Sequence, residues 1–373
     1  MQKIQMVDLQ SQYHRIKPEI DAAITEVLES THFINGPQVG EFAKNLAKYT
    51  GAGYVIPCAN GTDALQIAMM ALNLKPGDEV ITATFTYAAT AEVIALLGLK
   101  PVLVEVNLNT FCIDPVAMEA AITSKTKAIV PVHLFGQCAD METIMAIATK
   151  YNLYVIEDLA QAIGSVYTFS DGTKKQAGTM GHIGTTSFFP SKNLGCYGDG
   201  GALFTNDEAI AQDIKMIANH GQRVKYYHEV IGVNSRLDTL QAAILDVKLK
   251  YLNEYCEARQ KVAAYYDEAL ANHPNFKIPV RDPKSTHVFH QYNLQICGIN
   301  RDDLKKQLED KGIPSMIYYP LPLHFQKAFG SENYSEGQFP ISENLCECVL
   351  ALPISTEMDE EQLSYIVSEL KAI

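Results

Sequence analysis

Between residues 54 and 205, short apolar stretches alternate with segments in which apolar residues recur at helical spacing. The short stretches are rich in β-branched residues and cover residues 80–85, 102–106, 128–132, 154–157, 185–189 and 201–205. The segments with helical spacing include residues 62–72, 89–97, 141–151 and 208–218. This alternation predicts an α/β fold, with a mostly parallel central sheet flanked by helices. Ligands of such sheets bind beyond the carboxyl ends of the strands.

The pattern changes after residue 236. A helical pattern without proline runs from about residue 237 to residue 272 and predicts the passage into a second domain. Strand-like and helix-like segments then alternate irregularly up to the end of the chain, which indicates a smaller α+β domain. We therefore predict a large domain over residues 1–240 and a small C-terminal domain over residues 241–373.

Composition narrows the classes of function. A chain of 373 residues is longer than a single hydrophobic core usually accommodates, which agrees with two domains. A net charge of -13 disfavours nucleic acid as a partner. Because there is no long apolar run and no apolar stretch behind Lys3, we expect a cytoplasmic protein without membrane contact. The eight cysteines form no CxxC pair, and no histidine stands near them at the spacing of zinc ligands. No metal site is therefore expected.

The most informative stretch is GTTSFFPSKNLGCYGDGGALFT, residues 184–205. A strand is predicted to end at Phe189, and Lys192 follows in a glycine-rich loop. A lysine at the carboxyl end of a core strand lies near the ligand side of the sheet, where partial burial lowers its pKa and frees the amine for Schiff-base formation. On residue type alone, a solvated loop lysine is the commoner case.

Three polar residues stand at or just after the end of the strand predicted at residues 153–157. The carboxylate of Glu157 or Asp158 could pair with a protonated pyridine nitrogen, and Gln161 could reach a ring hydroxyl. A strand-end acid can equally cap a helix.

The segment CANGTDALQIA, residues 58–68, places Gly61 and Thr62 at the start of a helix. Free backbone N–H groups there suit a phosphate, although an ordinary capped helix fits as well. Ser187 offers a hydroxyl to the same phosphate. Tyr87, after the strand that ends near Phe85, could lie flat on a pyridine ring or pack in the core.

The motifs NGTDAL, TFTYAAT, EDLAQ, TSFFPSKNLGCYGDGGA and GVNSRLDTLQAA occur in this order along the chain. Their joint occurrence resembles the DegT/DnrJ/EryC1/StrS family of sugar aminotransferases, which have the type I fold of transferases that depend on pyridoxal 5'-phosphate. The similarity runs from VDLQSQY near the start to YYPLPLHFQ near the end.

The resemblance implies a homodimer with shared active sites and a role for each residue of the cofactor site. These residues are Gly61, Thr62, Tyr87, Asp158, Gln161, Ser187, Lys192 and Asn234. Lys192 would form the Schiff base and, with Asp158 at the pyridine nitrogen, carry the catalysis. Asn234 would reach the phosphate of the neighbouring subunit. Pyridoxamine 5'-phosphate would be the intermediate form of the cofactor, and L-glutamate the amino donor.

The resemblance is closest to enzymes that aminate C3 of a nucleotide-linked sugar for lipopolysaccharide and O-antigen. Arg236, Tyr318, Tyr319 and His324 are the expected substrate contacts. Tyr318 and His324 favour a 6-deoxyhexose over a uronate. The resemblance does not decide whether the nucleotide is UDP or dTDP or whether C3 or C4 is aminated. It also leaves open the stereochemistry of the product.

Three other functions fit the sequence less well. Lys192 disfavours a sugar 3-dehydratase, which carries histidine at that position. A non-catalytic regulator usually has an added DNA-binding module, and Cys196, four residues after the lysine, is poorly placed for a desulfurase.

Overall fold

The computed structural model describes residues 3–373 of the chain. The region before residue 240 forms strands β1 (Tyr54–Cys58), β2 (Glu79–Ala83), β3 (Lys100–Val104), β4 (Thr126–Val130), β5 (Tyr154–Asp158), β6 (Val166–Thr168), β7 (Lys174–Gln176), β8 (Ile183–Ser187), β9 (Gly201–Thr205), β10 (Gln222–Val224) and β11 (Tyr227–His228). The later region forms β12 (Phe276–Lys277), β13 (Tyr292–Ile296) and β14 (Val349–Leu352).

Seven of these strands form the central sheet, in the order β1-β9-β8-β5-β4-β2-β3. Strand β9 is antiparallel to both of its neighbours, and the other pairings are parallel. The carboxyl ends of β2, β4, β5, β8 and β1 therefore meet at one edge of the sheet. The mostly parallel sheet expected from the sequence is confirmed.

Helices cover both faces of this sheet and the small domain. They are α1 (Leu9–Ser30), α2 (Pro37–Thr50), α3 (Gly61–Ala71), α4 (Ala89–Leu96), α5 (Pro115–Ala120), α6 (Met141–Tyr151), α7 (Glu208–Ala218), α8 (Thr239–Leu249), α9 (Leu252–Leu270), α10 (Arg301–Asp310), α11 (Pro340–Cys348) and α12 (Glu360–Lys371). None of the helices within residues 3–373 is long and apolar enough to cross a membrane.

Several helices begin where the sequence supplies a capping side chain. Asn60 caps α3 by accepting from the N–H of Asp63, and Asp140 and Asp207 cap α6 and α7 in the same way. Such caps satisfy N–H groups that have no partner inside the helix. The cap of α3 fixes the helix start directly after β1, at the ligand edge of the sheet.

The small domain has its own core, built from β13, β14 and apolar residues of α9, α10 and α12. The continuous helical pattern after residue 236 is broken at residues 250–251 into α8 and α9. Helix α8 packs against α1 and α2 beside the large sheet, and α9 leads into the small core. The domain division at residue 240 stays a prediction, and this packing favours a boundary further along, within α9.

Candidate active site

A cavity of about 870 Å³ opens at the carboxyl edge of the central sheet. Nine of the residues singled out in the sequence line it: Gly61, Thr62, Tyr87, Asp158, Gln161, Ser187, Lys192, Tyr318 and Tyr319. The topology explains this meeting, because β1, β2, β5 and β8 all end at this edge.

Lys192 lies in the loop between β8 and β9. Its backbone N–H donates to the carbonyl of Phe189, and the N–H of Cys196 donates to the carbonyl of Phe188, each at 2.8 Å. The loop therefore folds back on the strand end and carries the lysine side chain into the cavity wall. Burial lowers the pKa of Lys192 to about 8, although the carboxylate of Asp158 acts in the opposite direction. Near neutral pH, far more of this amine is uncharged than of an exposed lysine.

Asp158 is the last residue of β5 and is almost fully buried. Its Oδ2 accepts a hydrogen bond from Oγ1 of Thr90 at 2.9 Å, and its Oδ1 accepts from the N–H of Ala160 at 3.1 Å. Burial raises the pKa of Asp158, and these hydrogen bonds and the cation of Lys192 oppose the rise. A buried carboxylate without a directly bonded cation is suited to pair with a positive group of a ligand.

Glu157 precedes this aspartate, and the sequence left open which of the two acids is functional. The side chain of Glu157 is fully buried and accepts hydrogen bonds at 2.6–2.8 Å from the N–H groups of Gly178, Met180 and Gly181. Nε2 of His133 lies 2.9 Å from the same carboxylate. Successive strand residues point to opposite faces, so only the second acid enters the cavity.

The start of α3 provides an anion cradle beside β8. The N–H groups of Gly61 and Thr62 have no hydrogen-bond partner within the described chain, as expected for the first turn of a helix. A Cβ atom on Gly61 would lie 2.7 Å from Cβ of Ser187, so only glycine allows this approach. Two free N–H groups, a positive helix end and a serine hydroxyl together suit a phosphate monoester.

Aromatic and amide side chains form the remaining wall. Tyr87 is 63% exposed and presents its ring to the cavity. Gln161 accepts from the N–H of Phe135 at 2.7 Å and donates to the hydroxyl of Tyr319 at 3.1 Å. Tyr318 is half-buried beside them. The carboxamide therefore ties the floor of the cavity to the small-domain loop that covers it.

Asn234 and Arg236 do not line the cavity of this chain. Asn234 is exposed and pairs through its backbone with Asn219, and Arg236 is half-buried.

His324 also lies outside the cavity of this chain, so its contact with the substrate stays a prediction that the position of the side chain does not support. Its side chain is fully buried, with Nδ1 2.7 Å from Oγ1 of Thr84 and Nε2 3.4 Å from a carboxylate oxygen of Glu343. The ring of Phe339 packs against it, with 4.8 Å between the centroids. The N–H of Leu323 donates to the carbonyl of Thr84 at 2.8 Å, which ties this loop to the residue that follows β2.

The structure adds cavity residues that the sequence analysis did not single out. Thr86, His290 and Gln291 line the cavity, and Thr90 holds Asp158 from behind. Thr86 and Thr90 lie inside the TFTYAAT motif, so the sequence signal that pointed to Tyr87 could also have pointed to them. His290 and Gln291 fall in the later region, where the sequence pattern indicated only strand-like and helix-like segments and no site.

The features of the cavity fit pyridoxal 5'-phosphate. Gly61, Thr62 and Ser187 would hold its phosphate, the buried Asp158 its ring nitrogen, and Lys192 supplies a largely buried amine of lowered pKa for its aldehyde. Together with the mostly parallel sheet and the small α+β domain, this site defines an aminotransferase of the type I fold.

The comparisons with known proteins agree. Residues 14–371 match the model of the DegT/DnrJ/EryC1/StrS aminotransferase family, and the chain belongs to this family. It is 47% identical to a UDP-2-acetamido-2-deoxy-3-oxo-D-glucuronate aminotransferase of Pseudomonas aeruginosa, with 98% of this chain and 99% of that protein covered.

Two further relatives have other names. One, from Geobacillus stearothermophilus, is called a pleiotropic regulatory protein and is 47% identical over 98% of this chain and 97% of its own length. The other is a dTDP-3-amino-3,6-dideoxy-alpha-D-galactopyranose transaminase of Aneurinibacillus thermoaerophilus, 43% identical over 98% of each chain.

Among solved structures, the chain is similar to the Bacillus subtilis protein ntda with bound pyridoxamine phosphate. The TM-score is 0.91 and the identity 34%, with 99% of this chain and 85% of that chain covered. The protein is thus an enzyme, a sugar aminotransferase that depends on pyridoxal phosphate.

Proposed function

We propose that this enzyme transfers the amino group of L-glutamate to C3 of a keto sugar linked to UDP or dTDP, in the biosynthesis of a surface polysaccharide such as O-antigen. The observation that carries the proposal is that Lys192 and Asp158 line one cavity, next to an anion cradle. Relatives that act on 3-oxo or 3-amino sugars support the position of the amination.

Each residue of the site has a part in this reaction. When bound, pyridoxal phosphate supplies an electron sink that lets a proton leave the carbon that bears the amine. Lys192 would move that proton between the substrate carbon and the cofactor, because its lowered pKa suits a general base near neutral pH. Asp158 keeps the ring nitrogen charged. Tyr87 covers the ring, and Gln161 hydrogen-bonds its hydroxyl.

The substrate is one of two kinds of nucleotide sugar. The burial of His324 weakens one of the two reasons for preferring a 6-deoxyhexose, and relatives of both kinds exceed 40% identity. Tyr318 and Tyr319 line the cavity and are the proposed contacts to the sugar. Arg236 is the proposed contact to a substrate carboxylate or phosphate.

A panel of keto nucleotide sugars tests this function. Purified enzyme is incubated with L-glutamate and each 3-keto or 4-keto sugar, linked to UDP or dTDP, and the product is located by mass spectrometry and NMR. We expect amination at C3 of one sugar class. Amination only at C4 would point to the alternative branch of the family. No amination of any sugar would favour a regulatory role, which the name of the Geobacillus relative suggests for that protein.

We further propose a cytoplasmic homodimer in which Asn234 of each chain completes the site of the other. The hairpin β10–β11 and the residues after it expose Val224, Tyr226, Tyr227, Val230 and Ile231, an apolar surface suited to a subunit contact. Asn234 follows this surface and does not reach the cavity of its own chain.

Mixed dimers test the shared site. Lys192→Ala and Asn234→Ala variants are mixed after mild dissociation, and activity is compared with that of each variant alone. Partial recovery is expected, because one site of a mixed dimer keeps both residues. An active monomer in sedimentation would contradict the model.

A further inference from the structure

Three polar atoms in the cavity wall have no hydrogen-bond partner among the residues that the structure describes. They are Oγ1 of Thr86, Nδ1 of His290 and Oε1 of Gln291, and all three are buried. Buried polar atoms are nearly always paired in folded proteins, so unpaired ones in a cavity indicate a bound partner. None of the three belongs to the residues that fit the cofactor.

His290 is held in the wall by a strained turn. Phe289, the residue before it, has a φ of 46°, a left-handed conformation that aromatic residues rarely adopt. The buried guanidinium of Arg259 donates to the carbonyls of Phe289 and His290, each at 3.2 Å. Strain that is held by a buried cation marks a segment whose position matters.

The same segment is tied to the catalytic residues on both sides. The side chain of Asn193, next to Lys192, donates to the carbonyl of Val288 at 3.0 Å. On the other side, the N–H of Gln291 donates to the carbonyl of Phe135, whose own N–H donates to Gln161.

Gly136 allows this close packing. A Cβ atom at that position would lie 2.8 Å from the backbone nitrogen of Phe289. The backbone of residues 288–291 is therefore held between the loop of Lys192 and the floor of the cavity.

The wall formed by these side chains is uncharged. Burial lowers the pKa of His290 well below its usual value, and the cations of Lys192 and Arg259 act in the same direction. A neutral imidazole, a carboxamide and a hydroxyl can each donate and accept hydrogen bonds, as sugar hydroxyls do. A carboxylate only accepts, and no arginine of the described chain lines the cavity.

We propose that Thr86, His290 and Gln291 form a neutral polar wall that binds the hydroxyl-bearing ring of the sugar, with His290 as a specificity-determining residue. The inference rests on the proposed function, since it assigns the sugar of that reaction to one side of the cavity. Glutamate, whose recognition depends on its carboxylates, does not use this wall.

The two half-reactions separate these substrates. The pyridoxal form of the holoenzyme is mixed in a stopped-flow instrument with L-glutamate or with an amino sugar, the latter running the sugar half-reaction in reverse. The amino sugars are UDP-2-acetamido-3-amino-2,3-dideoxyglucuronate and dTDP-3-amino-3,6-dideoxygalactose. The decay of the visible cofactor absorption gives a second-order rate constant for each donor.

His290→Leu should lower the rate constant for the reactive amino sugar about 3- to 10-fold, as expected for one lost hydrogen bond, and leave that for glutamate unchanged. His290→Asn keeps a donor and an acceptor and should recover part of the loss. Gln291→Leu should act in the same direction. Calorimetric titration of each variant with the amino sugar should show the same weakening in affinity.

His182→Leu is the matched control, because it removes a half-buried imidazole beside the opposite end of β8. It should leave the ratio of the two rate constants unchanged. If His290→Leu lowered the rate constants for both donors equally, or lowered neither, the proposed role of the wall would be wrong. The proposed function would not be affected. A wild type that reacts with glutamate but with neither amino sugar would contradict the proposed function, and the wall with it.

Discussion

Lys192 and Lys248 are two lysines whose amines lie at the same loop between β8 and β9, and burial of the amine lowers the pKa of each to about 8. Their surroundings differ. Lys192 lines the cavity near Asp158. Lys248, on α8, is 1% exposed, and its amine donates to the carbonyl of Gly195 at 2.5 Å and lies 5.3 Å from the ring centroid of Tyr197.

A lowered pKa therefore does not by itself mark a catalytic lysine. Both amines lose hydration, but only that of Lys192 opens to a space where a ligand can react. The ammonium of Lys248 has its hydrogen bond and its aromatic neighbour inside the protein, so it fixes the loop that carries Lys192.

The largest difference should appear on replacement. Lys192→Ala removes the proposed general base and should lower turnover about 10²- to 10⁴-fold or more, while the protein stays folded. The borohydride-reducible link to the cofactor should disappear from the peptide that contains residue 192. Lys248→Met is the matched control and should keep that link. A reducible link at another lysine of the first variant would contradict the assignment.

Chemical labelling of the apoprotein should sharpen the comparison. At pH 8, an amine-acylating reagent should modify Lys192 about a hundredfold faster than an ordinary exposed lysine, because far more of its amine is uncharged. The rate should rise through a midpoint near pH 8. Lys248 should stay unmodified, since the reagent cannot reach it. Mass spectrometry of the peptides measures the extent of modification of Lys192, of Lys248 and of an exposed lysine.

Asp158→Asn tests the direction in which the carboxylate of Asp158 shifts the pKa of Lys192. The carboxylate raises the pKa of Lys192, so its removal should move the labelling midpoint to lower pH. An unchanged midpoint would mean that the two groups do not interact, and a midpoint moved upward would contradict the arrangement.

The smallest effect is expected from Lys248→Met. The buried carbonyl of Gly195 loses its donor, which should lower the free energy of unfolding by about 1–3 kcal/mol. Urea unfolding of the apoprotein measures the change. Turnover should fall much less than in Lys192→Ala. A variant as stable as the wild type would show that the ammonium does not hold the loop.

The sequence alone located the groups that meet at strand ends. Lys192, Asp158 and Ser187 each end or follow a core strand, and Gly61 begins the helix after another. In a mostly parallel sheet the carboxyl ends lie along one edge, so the strand pattern brings these residues together without further information.

Side-chain direction in the small domain was not predictable in this way. His324 stands in a proline-rich loop that reads as a wall of the site, yet Leu323 and His324 bond to Thr84, which is 240 positions away from His324 in the chain. His290 was not singled out by the sequence pattern, and the structure places it before β13 in a turn held by Arg259.

The break between α8 and α9 has the same origin. No glycine or proline marks residues 250–251, and the pattern favoured one long helix. Helix α8 packs beside the large sheet and α9 packs on the small core. Because the two helices pack against different domains, the chain turns between them.

The sequence by itself thus determined the α/β class and predicted the lysine, the serine and the helix start that meet at the cavity, because strand periodicity and helix starts are local properties. Only the tertiary structure decided which acid of β5 faces the cavity, that His324 lies outside it and that His290 lies inside. Those outcomes depend on contacts between residues far apart in the chain, and local patterns carry no information about them.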